Sequence, residues 1–287
     1  MRECPLPTLP LADLLARRHT PQPSRPSSRP SSAAPAALPA PAERFSIGWA
    51  RHLDEVREAQ RLRHQVFVDE MGARLSPLHG TPAGHDADLF DAYCEHLIVR
   101  CLDDTSPQAG EVIGTYRVLT PQAAQRVGGF YSETEFDLVR LRPARDRMAE
   151  LGRSCVHANH RQGGVILSLW GALGNFLATN GLDSVIGCAS ISMRDGGHAA
   201  ASLWERLSRT HLAPIEHQVR PRLALPVDEL RRDLAVEPPA LVKGYLRCGA
   251  KVLGAPAWDP DFNTADLPMW LQLRDLPEKY RRHFLGQ

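Results

Sequence analysis

The chain has 287 residues, of which 43% are apolar, and a formal net charge of +1 at pH 7. This length and composition support a large folded domain with a sizeable core, and the near-neutral charge disfavours a nucleic-acid surface. No uninterrupted apolar run reaches the roughly 18 to 20 residues that span a bilayer, and the N-terminus lacks a signal-peptide core. The six cysteines form no Cys-x-x-Cys pair, so we expect neither a zinc site nor a disulfide framework, and a cytoplasmic location.

The first 43 residues differ in composition from the rest of the chain. They contain ten of the 24 prolines, and Ser and Ala fill most of the positions between the later ones. Such a segment buries too little apolar surface to offset the entropy lost on ordering it. We therefore predict a disordered tail over residues 1–43 and a folded domain over residues 44–287.

The folded region begins with a predicted strand and then a helix, because apolar residues recur near helical spacing. A loop rich in Gly, Pro and His follows, and then two strands that a turn-forming segment joins into an antiparallel pair. The predicted strands are 45–50, 95–102, 111–119, 148–156, 182–189, 252–256 and 269–273, and the predicted helices are 53–67, 165–179 and 240–248. Residues 132–138 are predicted as a helix start or short loop, and the Arg-rich residues 196–236 as a helical insertion or lid. The pattern is α+β, with one layered sheet.

A phosphate-binding corner is predicted between the strand at 148–156 and the helix at 165–179. Arg161, Gly163 and Gly164 lie there. Glycines let the backbone approach an anion closely, and the exposed amides and dipole of a helix N-terminus favour negative charge. We expect this corner to bind a pyrophosphate or a phosphopantetheine phosphate.

Residues that can carry chemistry lie just before this corner. Glu150 is a carboxylate that can take a proton, and Arg153 is a guanidinium that can hold a carbonyl or carboxylate group. The alternative is a simple ion pair between them at the strand end. Cys155 lies on the same strand and could be a nucleophile, although no histidine has a spacing that argues for its activation. His157 and His160 form the closest histidine pair, but no carboxylate or thiolate has a matching spacing, so we expect no metal.

Several longer motifs carry a family resemblance over residues 44–285. They are Arg63-His64-Gln65-Val66-Phe67, Asp88-Leu89-Phe90-Asp91, Gly114-Thr115-Tyr116-Arg117, Glu150-Leu151-Gly152-Arg153, Ile186-Gly187-Cys188-Ala189-Ser190, Lys243 to Ala250, and Phe262 to Asp266. In these motifs the chain resembles the ornithine N-acyltransferases, a branch of the GNAT acyltransferase superfamily that is close to the acyl-homoserine-lactone synthases. The resemblance implies a GNAT-like fold, with a mixed, mostly antiparallel central sheet flanked by helices.

The resemblance also implies an activity. It would be the transfer of a 3-hydroxy fatty acyl group from acyl carrier protein to the α-amine of L-ornithine, the first step of ornithine lipid biosynthesis. The donor would be the acyl-phosphopantetheine of the carrier protein, with no permanently bound cofactor. The product would be a lipid, so we also expect the protein to contact the cytoplasmic face of the inner membrane peripherally.

The family motifs imply roles for individual residues. Catalytic roles are implied for Glu150 and Arg153, with Glu150 as the base for the amine, and substrate-binding roles for Arg63, Phe67, Asp88, Asp91 and Arg117. Ornithine carries two ammonium groups and one carboxylate, so a site needs both acidic groups and a fork-shaped donor. For Arg63 a solvated helix face is the alternative, and for Asp88 and Asp91 it is a helix cap.

Three further features separate the possible acceptors and donors. Ala73 stands where the lactone synthases have Trp, which weakens the lactone-synthase reading. Ile166 stands where the usual anion corner has a small residue, which favours a carrier-bound phosphopantetheine over coenzyme A. Lys243, Arg247 and Lys251 form a basic stripe that is either a solvated face or a docking surface for the acidic carrier or an anionic membrane. Glycine, lysine or S-adenosylmethionine as acceptor, and a non-catalytic acyl-carrier-binding protein, remain as alternatives.

Overall fold

A computed structural model of the chain describes residues 44–161 and 164–285. The predicted disordered tail, residues 1–43, lies outside the described residues, as do Gln162 and Gly163. The strands are β1 (Phe45–Trp49), β2 (Glu95–Cys101), β3 (Val112–Leu119), β4 (Phe136–Asp137), β5 (Met148–Val156), β6 (Ser184–Ser192), β7 (Arg220–Pro221), β8 (Lys251–Val252), β9 (Ala257–Asp259) and β10 (Thr264–Gln272). The α-helices are α1 (Leu53–His64), α2 (Pro121–Val127), α3 (Ser132–Glu135), α4 (Val165–Thr179), α5 (His198–Thr210), α6 (Ala240–Arg247) and α7 (Glu278–Leu285).

The central sheet is mixed and mostly antiparallel, as the family resemblance implied. Its order is β1-β2-β3-β5-β6-β10-β8, with β9 also paired to β10. All of these pairs are antiparallel except β5 with β6, which is parallel. Alternate residues of β2 face opposite sides: Leu97 and Val99 pack with α4, and Ile98 packs with α1. The predicted layered α+β fold is therefore confirmed.

The sheet splits at its centre. Strands β5 and β6 pair only from Met148 to Glu150, opposite Ser184 to Ile186, and separate beyond that point. At the split, a Cβ on Gly187 would lie 2.5 Å from the carbonyl oxygen of Leu151, so only glycine allows this close approach. The opening lies between the second half of β5 and the second half of β6.

A bulge in β5 shapes one side of this opening. The pairing of β3 with β5 shifts register between Thr115 and Arg117, which places two residues of β5 opposite Tyr116. One of them, Arg153, has a φ of +50°, in the left-handed region that non-glycine residues rarely occupy. A bulge bends the strand and redirects its side chains, so Arg153 departs from the alternation of a regular strand.

The structure differs from the sequence prediction most in residues 196–236. Helix α5 covers only His198–Thr210, whereas residues 211–236 contain short 3₁₀ turns and the two-residue strand β7. The prediction of helix there is wrong because Pro214, Pro221 and Pro226 each lack the backbone N–H that a helix interior needs. The predicted helix at 53–67 also changes character, since α1 continues as a π-helical turn over Gln65–Glu70. Within the described residues, no helix combines the length and apolar content needed to cross a membrane.

Candidate active site

A cavity of about 1050 Å³ occupies the opening between β5 and β6. Part of its wall is aromatic and comes from α4 and α6: the rings of Trp170 and Tyr245 stack at 5.3 Å, and the Tyr245 hydroxyl contacts that of Tyr116. Gly244 lies against the same wall, where a Cβ would come within 2.6 Å of the Trp170 ring. Apolar walls and this volume suit a long acyl chain or a pantetheine arm.

A smaller cavity of about 380 Å³ adjoins the large one, because both are lined by Phe90, Tyr131, Arg153, Asp259 and Phe262. Its charged lining residues are Asp86, Asp88, Glu135, Asp259, Asp261, Arg153 and Arg222. Carboxylates therefore outnumber guanidinium groups in this pocket. Such a lining suits a small ligand with ammonium groups and a carboxylate.

Arg63 lies in the core behind these cavities and is fully buried, so the alternative of a solvated helix face is wrong. Its Nε donates to Asp86 Oδ2 at 2.9 Å and its Nη2 to Asp91 Oδ2 at 2.6 Å. Gln60 Nε2 also donates to Asp91, at 2.9 Å. Burial would raise the pKa of Asp91, but Arg63 and Arg117 outweigh it and hold that pKa well below the usual range.

Arg117 and Arg153 complete this ion network. Arg117 Nη1 donates to Asp88 at 2.6 Å and to Asp91 at 2.9 Å, and Arg153 donates to Asp86 at 3.2 Å and Asp88 at 3.1 Å. The structure thus brings together the predicted Arg63, Asp88, Asp91, Arg117 and Arg153. They fix the loop before β2 against β3 and β5, and Asp88, Arg117 and Arg153 also line a cavity.

Phe67 and Glu150 both line the large cavity. The Phe67 ring meets that of Phe262 edge to face at 5.7 Å. Glu150, the last residue of β5 that pairs with β6, accepts hydrogen bonds from the backbone N–H groups of Tyr131 at 2.5 Å and Ser132 at 2.7 Å, and from the Ser132 hydroxyl. Burial raises the pKa of the Glu150 carboxyl, and these hydrogen bonds oppose the rise. Its carboxylate caps helix α3, and Arg153 pairs with Asp86 and Asp88 rather than with Glu150.

Two of the three residues predicted for the anion corner are described. Arg161 lines the large cavity; its Nη2 donates to Glu70 at 2.5 Å and its Nε to the Val156 carbonyl at 3.0 Å. Gly164 is the N-cap of α4. The predicted role of Gly163 falls outside the described residues. At this corner, Arg161 supplies a positive charge that is paired with the carboxylate of Glu70.

Further cations line the large cavity. They are Arg194, which donates to the backbone carbonyls of Glu70 and Met71, together with Lys243 and Arg247 of α6. The predicted stripe does not extend along one helix, because α6 ends at Arg247 and Lys251 lies in β8. Lys243 and Arg247 thus belong to the cavity wall.

Sequence reasoning assigned no role to one cluster. A ligand atom from each of Glu135, Cys188 and Asp266 lies within 4.8 Å of the others. Burial raises the pKa of both carboxyls; repulsion from Asp266 and Asp259 adds to the rise for Glu135, to about 9, and repulsion from Asp259 adds to it for Asp266, to about 6. Asp266 lies within a quoted motif, but Glu135 has no local signal, since its place depends on how α3 packs against β6.

The cluster has the spacing of a metal site, yet its chemistry favours proton sharing. Burial and the neighbouring Glu135 raise the pKa of the Cys188 thiol well above its usual value, and metals bind the thiolate. Burial likewise raises the pKa of Cys155 to about 12, which argues against it as a nucleophile. The rings of His157 and His160 lie 5.8 Å apart, and His157 Nδ1 accepts from the Asn159 N–H.

Comparisons with known proteins agree with this architecture. A family model described as "Acetyltransferase (GNAT) domain" matches residues 62–171. The chain is 35% identical over 249 residues to an L-ornithine N(alpha)-acyltransferase of Rhodobacter capsulatus. The aligned region covers 84% of this chain and 94% of that protein. It is 31% identical over 242 residues to the enzyme of the same name from Brucella abortus, covering 80% and 84%.

A solved structure shares the fold. It is an N-acyl amino acid synthase from uncultured soil microbes, with a TM-score of 0.50 at 11% identity, covering 82% of this chain and 93% of that one. The curated relatives extend over most of both chains at more than 30% identity. The chain therefore belongs to the family of the L-ornithine N(alpha)-acyltransferases and is an N-acyltransferase with the GNAT fold.

Proposed function

We propose that this enzyme transfers a 3-hydroxy fatty acyl group from acyl carrier protein to the α-amino group of L-ornithine, forming lyso-ornithine lipid. The observation that carries the proposal is that the small, carboxylate-rich pocket opens beside the large, partly aromatic cavity at the split in the sheet. An amino acid and an acyl thioester bound in the two cavities would meet at their shared wall. The names of the curated relatives support the same acceptor.

The charges of the small pocket match those of ornithine. Its two ammonium groups need carboxylates, and Asp259 and Asp261 line the pocket without a guanidinium group bound to them among the described ion pairs. Arg222, whose Nε donates to the Glu133 carbonyl, has no carboxylate partner among the described ion pairs and suits the ornithine carboxylate. A neutral or singly charged amine would leave some of these carboxylates unmatched.

The cations of the large cavity support a carrier-bound donor. Arg161, Arg194, Lys243 and Arg247 line it, and Lys243 pairs with Glu237 at 2.7 Å on the exposed side. A phosphopantetheine arm brings one phosphate, and a carrier protein brings an acidic surface, so both need cations at the entrance. Exchange of Glu70 for the phosphate at Arg161 would form a charge-assisted contact.

The split also suits the chemistry of acyl transfer. Beyond Glu150 the edge of β5 that faces β6 is unpaired in the described structure, so backbone N–H groups there can stabilise the oxyanion of a tetrahedral intermediate. Direct attack by the amine needs no acyl-enzyme. The raised pKa of the Cys155 thiol is consistent with that route.

The test is mass spectrometry of lipids from a bacterial host that lacks ornithine lipids and expresses this chain. We expect acyl-ornithine with a 3-hydroxy fatty acyl group. Acylated glycine or lysine in place of acylated ornithine would reassign the acceptor. Binding of acyl carrier protein without any acylated amine would support the non-catalytic alternative.

A further inference from the structure

Glu135 holds an unusual position between the two cavities. It lines the small cavity, and both of its carboxylate oxygens are closed to solvent and accept no hydrogen bond from an N–H or hydroxyl group of the described residues. Burying a carboxyl without such donors is costly, and proteins keep such groups mostly where they act. Its hydrogen-bonding neighbours are the Cys188 thiol and the Asp266 carboxyl, so Glu135 depends on a shared proton rather than on fixed donors.

Asp266 faces Glu135 from the other side of the wall. It is 4% exposed, lines the large cavity and accepts the Thr264 hydroxyl at 2.9 Å. It pairs in register with Ser190, which places it on the same face of the sheet as Cys188. The pair therefore links the two cavities: Glu135 lines the small cavity, and Asp266 lines the large one.

The charges around the pair determine how it titrates. Asp259 of β9 faces both carboxyls and Cys188 of β6 faces Glu135, so neither neighbour supplies positive charge. The cations of the small pocket are engaged elsewhere: Arg222 donates to the Glu133 carbonyl and Arg153 to Asp86 and Asp88. Two buried carboxyls in contact titrate as one unit, and the raised pKa values mean that near neutral pH the pair holds one proton and one negative charge.

We propose that the Glu135–Asp266 carboxyl pair is the general base of the acyl transfer, an assignment that rests on the function proposed above. An ammonium proton of the acceptor passes to the ionised carboxyl of the pair. The freed amine forms the C–N bond to the thioester carbonyl carbon, and the C–S bond breaks as the tetrahedral intermediate collapses. The second proton of the nitrogen goes to the departing thiolate, which leaves as the thiol, and the pair returns its proton to water.

This assignment gives Glu150 a different task. Its carboxylate accepts the backbone N–H groups of Tyr131 and Ser132 and so fixes the start of α3. Glu135 is the last residue of that four-residue helix. Glu150 is then a positioning residue that acts through Glu135, whereas Glu135 and Asp266 meet the substrate.

The test compares Glu135→Gln and Asp266→Asn with the wild type and with Asp137→Asn. Asp137 is an exposed carboxylate two residues after Glu135 that accepts the Val139 N–H, so its variant controls for charge removal. Each enzyme receives ornithine and 3-hydroxyacyl carrier protein, and kcat and KM are measured from pH 5 to 9. We expect kcat to fall by about 10²- to 10⁴-fold in both pair variants, with a smaller change in the KM for ornithine.

The pH profile separates a base from a structural role. Wild-type kcat/KM rises with pH as the pair loses the first of its two protons and becomes the singly charged base, and the hydrogen bond from Glu135 lowers the pKa of Asp266. The rising limb should therefore shift to higher pH in Glu135→Gln, which loses this carboxyl donor, and stay in place in Asp137→Asn. If Asp266→Asn fails to fold, the same measurements on Glu135→Gln alone test the assignment, because Glu135 lies on a short surface helix.

Several results would overturn the assignment. One is near-wild-type kcat with an unshifted pH limb in both variants while the wild type makes acyl-ornithine; that refutes the base and leaves the proposed function intact. A stoichiometric divalent ion in the purified enzyme, with loss of activity on chelation, would make the cluster a metal site instead. A wild-type enzyme that acylates no amine would remove both proposals together.

Discussion

Replacing Asp91 by Asn tests whether the buried ion network holds the loop before β2 in place. The Asp91 carboxylate accepts from Arg63 at 2.6 and 3.0 Å, from Arg117 at 2.9 Å and from Gln60 at 2.9 Å. The amide keeps the shape but leaves Arg63, which is fully buried, with one carboxylate fewer. Breaking such a buried pair by removing one partner costs about 3–5 kcal/mol, because an uncompensated charge remains in the core.

Urea denaturation followed by tryptophan fluorescence measures this loss. Asp54→Asn is the matched control, because Asp54 pairs with Arg57 on the exposed face of α1, where such pairs contribute about 0–1 kcal/mol. A loss from Asp91→Asn no larger than that from the control would refute the structural role of the network. Retained stability with a raised KM for ornithine would instead make Asp91 a substrate ligand, as the motif first suggested.

The same network sets the stability at low pH. The folded-state pKa of Asp91 lies well below its unfolded value of about 3.9, so its contribution is fully present above that unfolded pKa. The contribution is lost as the pH falls from the unfolded pKa toward the folded pKa. In Asp91→Asn the free energy of unfolding should therefore depend less on pH below about 4 than in the wild type.

Three further predictions follow from the cavity walls. Gly244→Ala should lower activity with long acyl donors more than with short ones, because its Cβ would come within 2.6 Å of the Trp170 ring; equal loss at all chain lengths, measured with a donor series, would contradict this. Arg161→Gln should raise the KM for the carrier-bound donor by about tenfold, or 1.4 kcal/mol, and leave the KM for ornithine unchanged. Cys155→Ser should keep at least about half of the wild-type kcat, because burial holds the thiol protonated; complete loss, with a covalent acyl adduct on the wild type, would restore Cys155 as nucleophile.

The fold could be predicted largely because its elements have local signals. The strand Met148–Val156 and the helix Val165–Thr179 have the predicted bounds, since an apolar strand-like segment and a helix with few charges are each recognisable within a short stretch of sequence. Residues 211–236 are irregular because prolines prevent the helix that the composition suggested, and they pack into the core through Val219 and Leu225. In this segment, the positions of the prolines decide the local structure more than the average composition does.

The sequence identified most residues of the candidate site, but it did not predict which of them form ion pairs or hydrogen bonds with each other. The spaced motifs named Arg63, Arg117 and Arg153, but their ion pairs depend on the loop before β2, which only the folded chain defines. Sequence reasoning joined Glu150 to Arg153 because they are three residues apart. The bulge in β5 turns Arg153 away, and α3, brought close by tertiary packing, supplies the hydrogen bonds to Glu150. Glu135 and Asp266 are 131 residues apart in sequence, a separation that no local pattern can bridge.

The most direct test of acyl transfer to ornithine is a competition between amines. The purified enzyme receives 3-hydroxyacyl carrier protein with equimolar ornithine, lysine, glycine and S-adenosylmethionine, and tandem mass spectrometry identifies each product and the nitrogen that carries the acyl group. We predict acyl-ornithine acylated on the α-nitrogen as the dominant product. A dominant product from another amine, or acylation of the δ-nitrogen of ornithine, would contradict the proposed function.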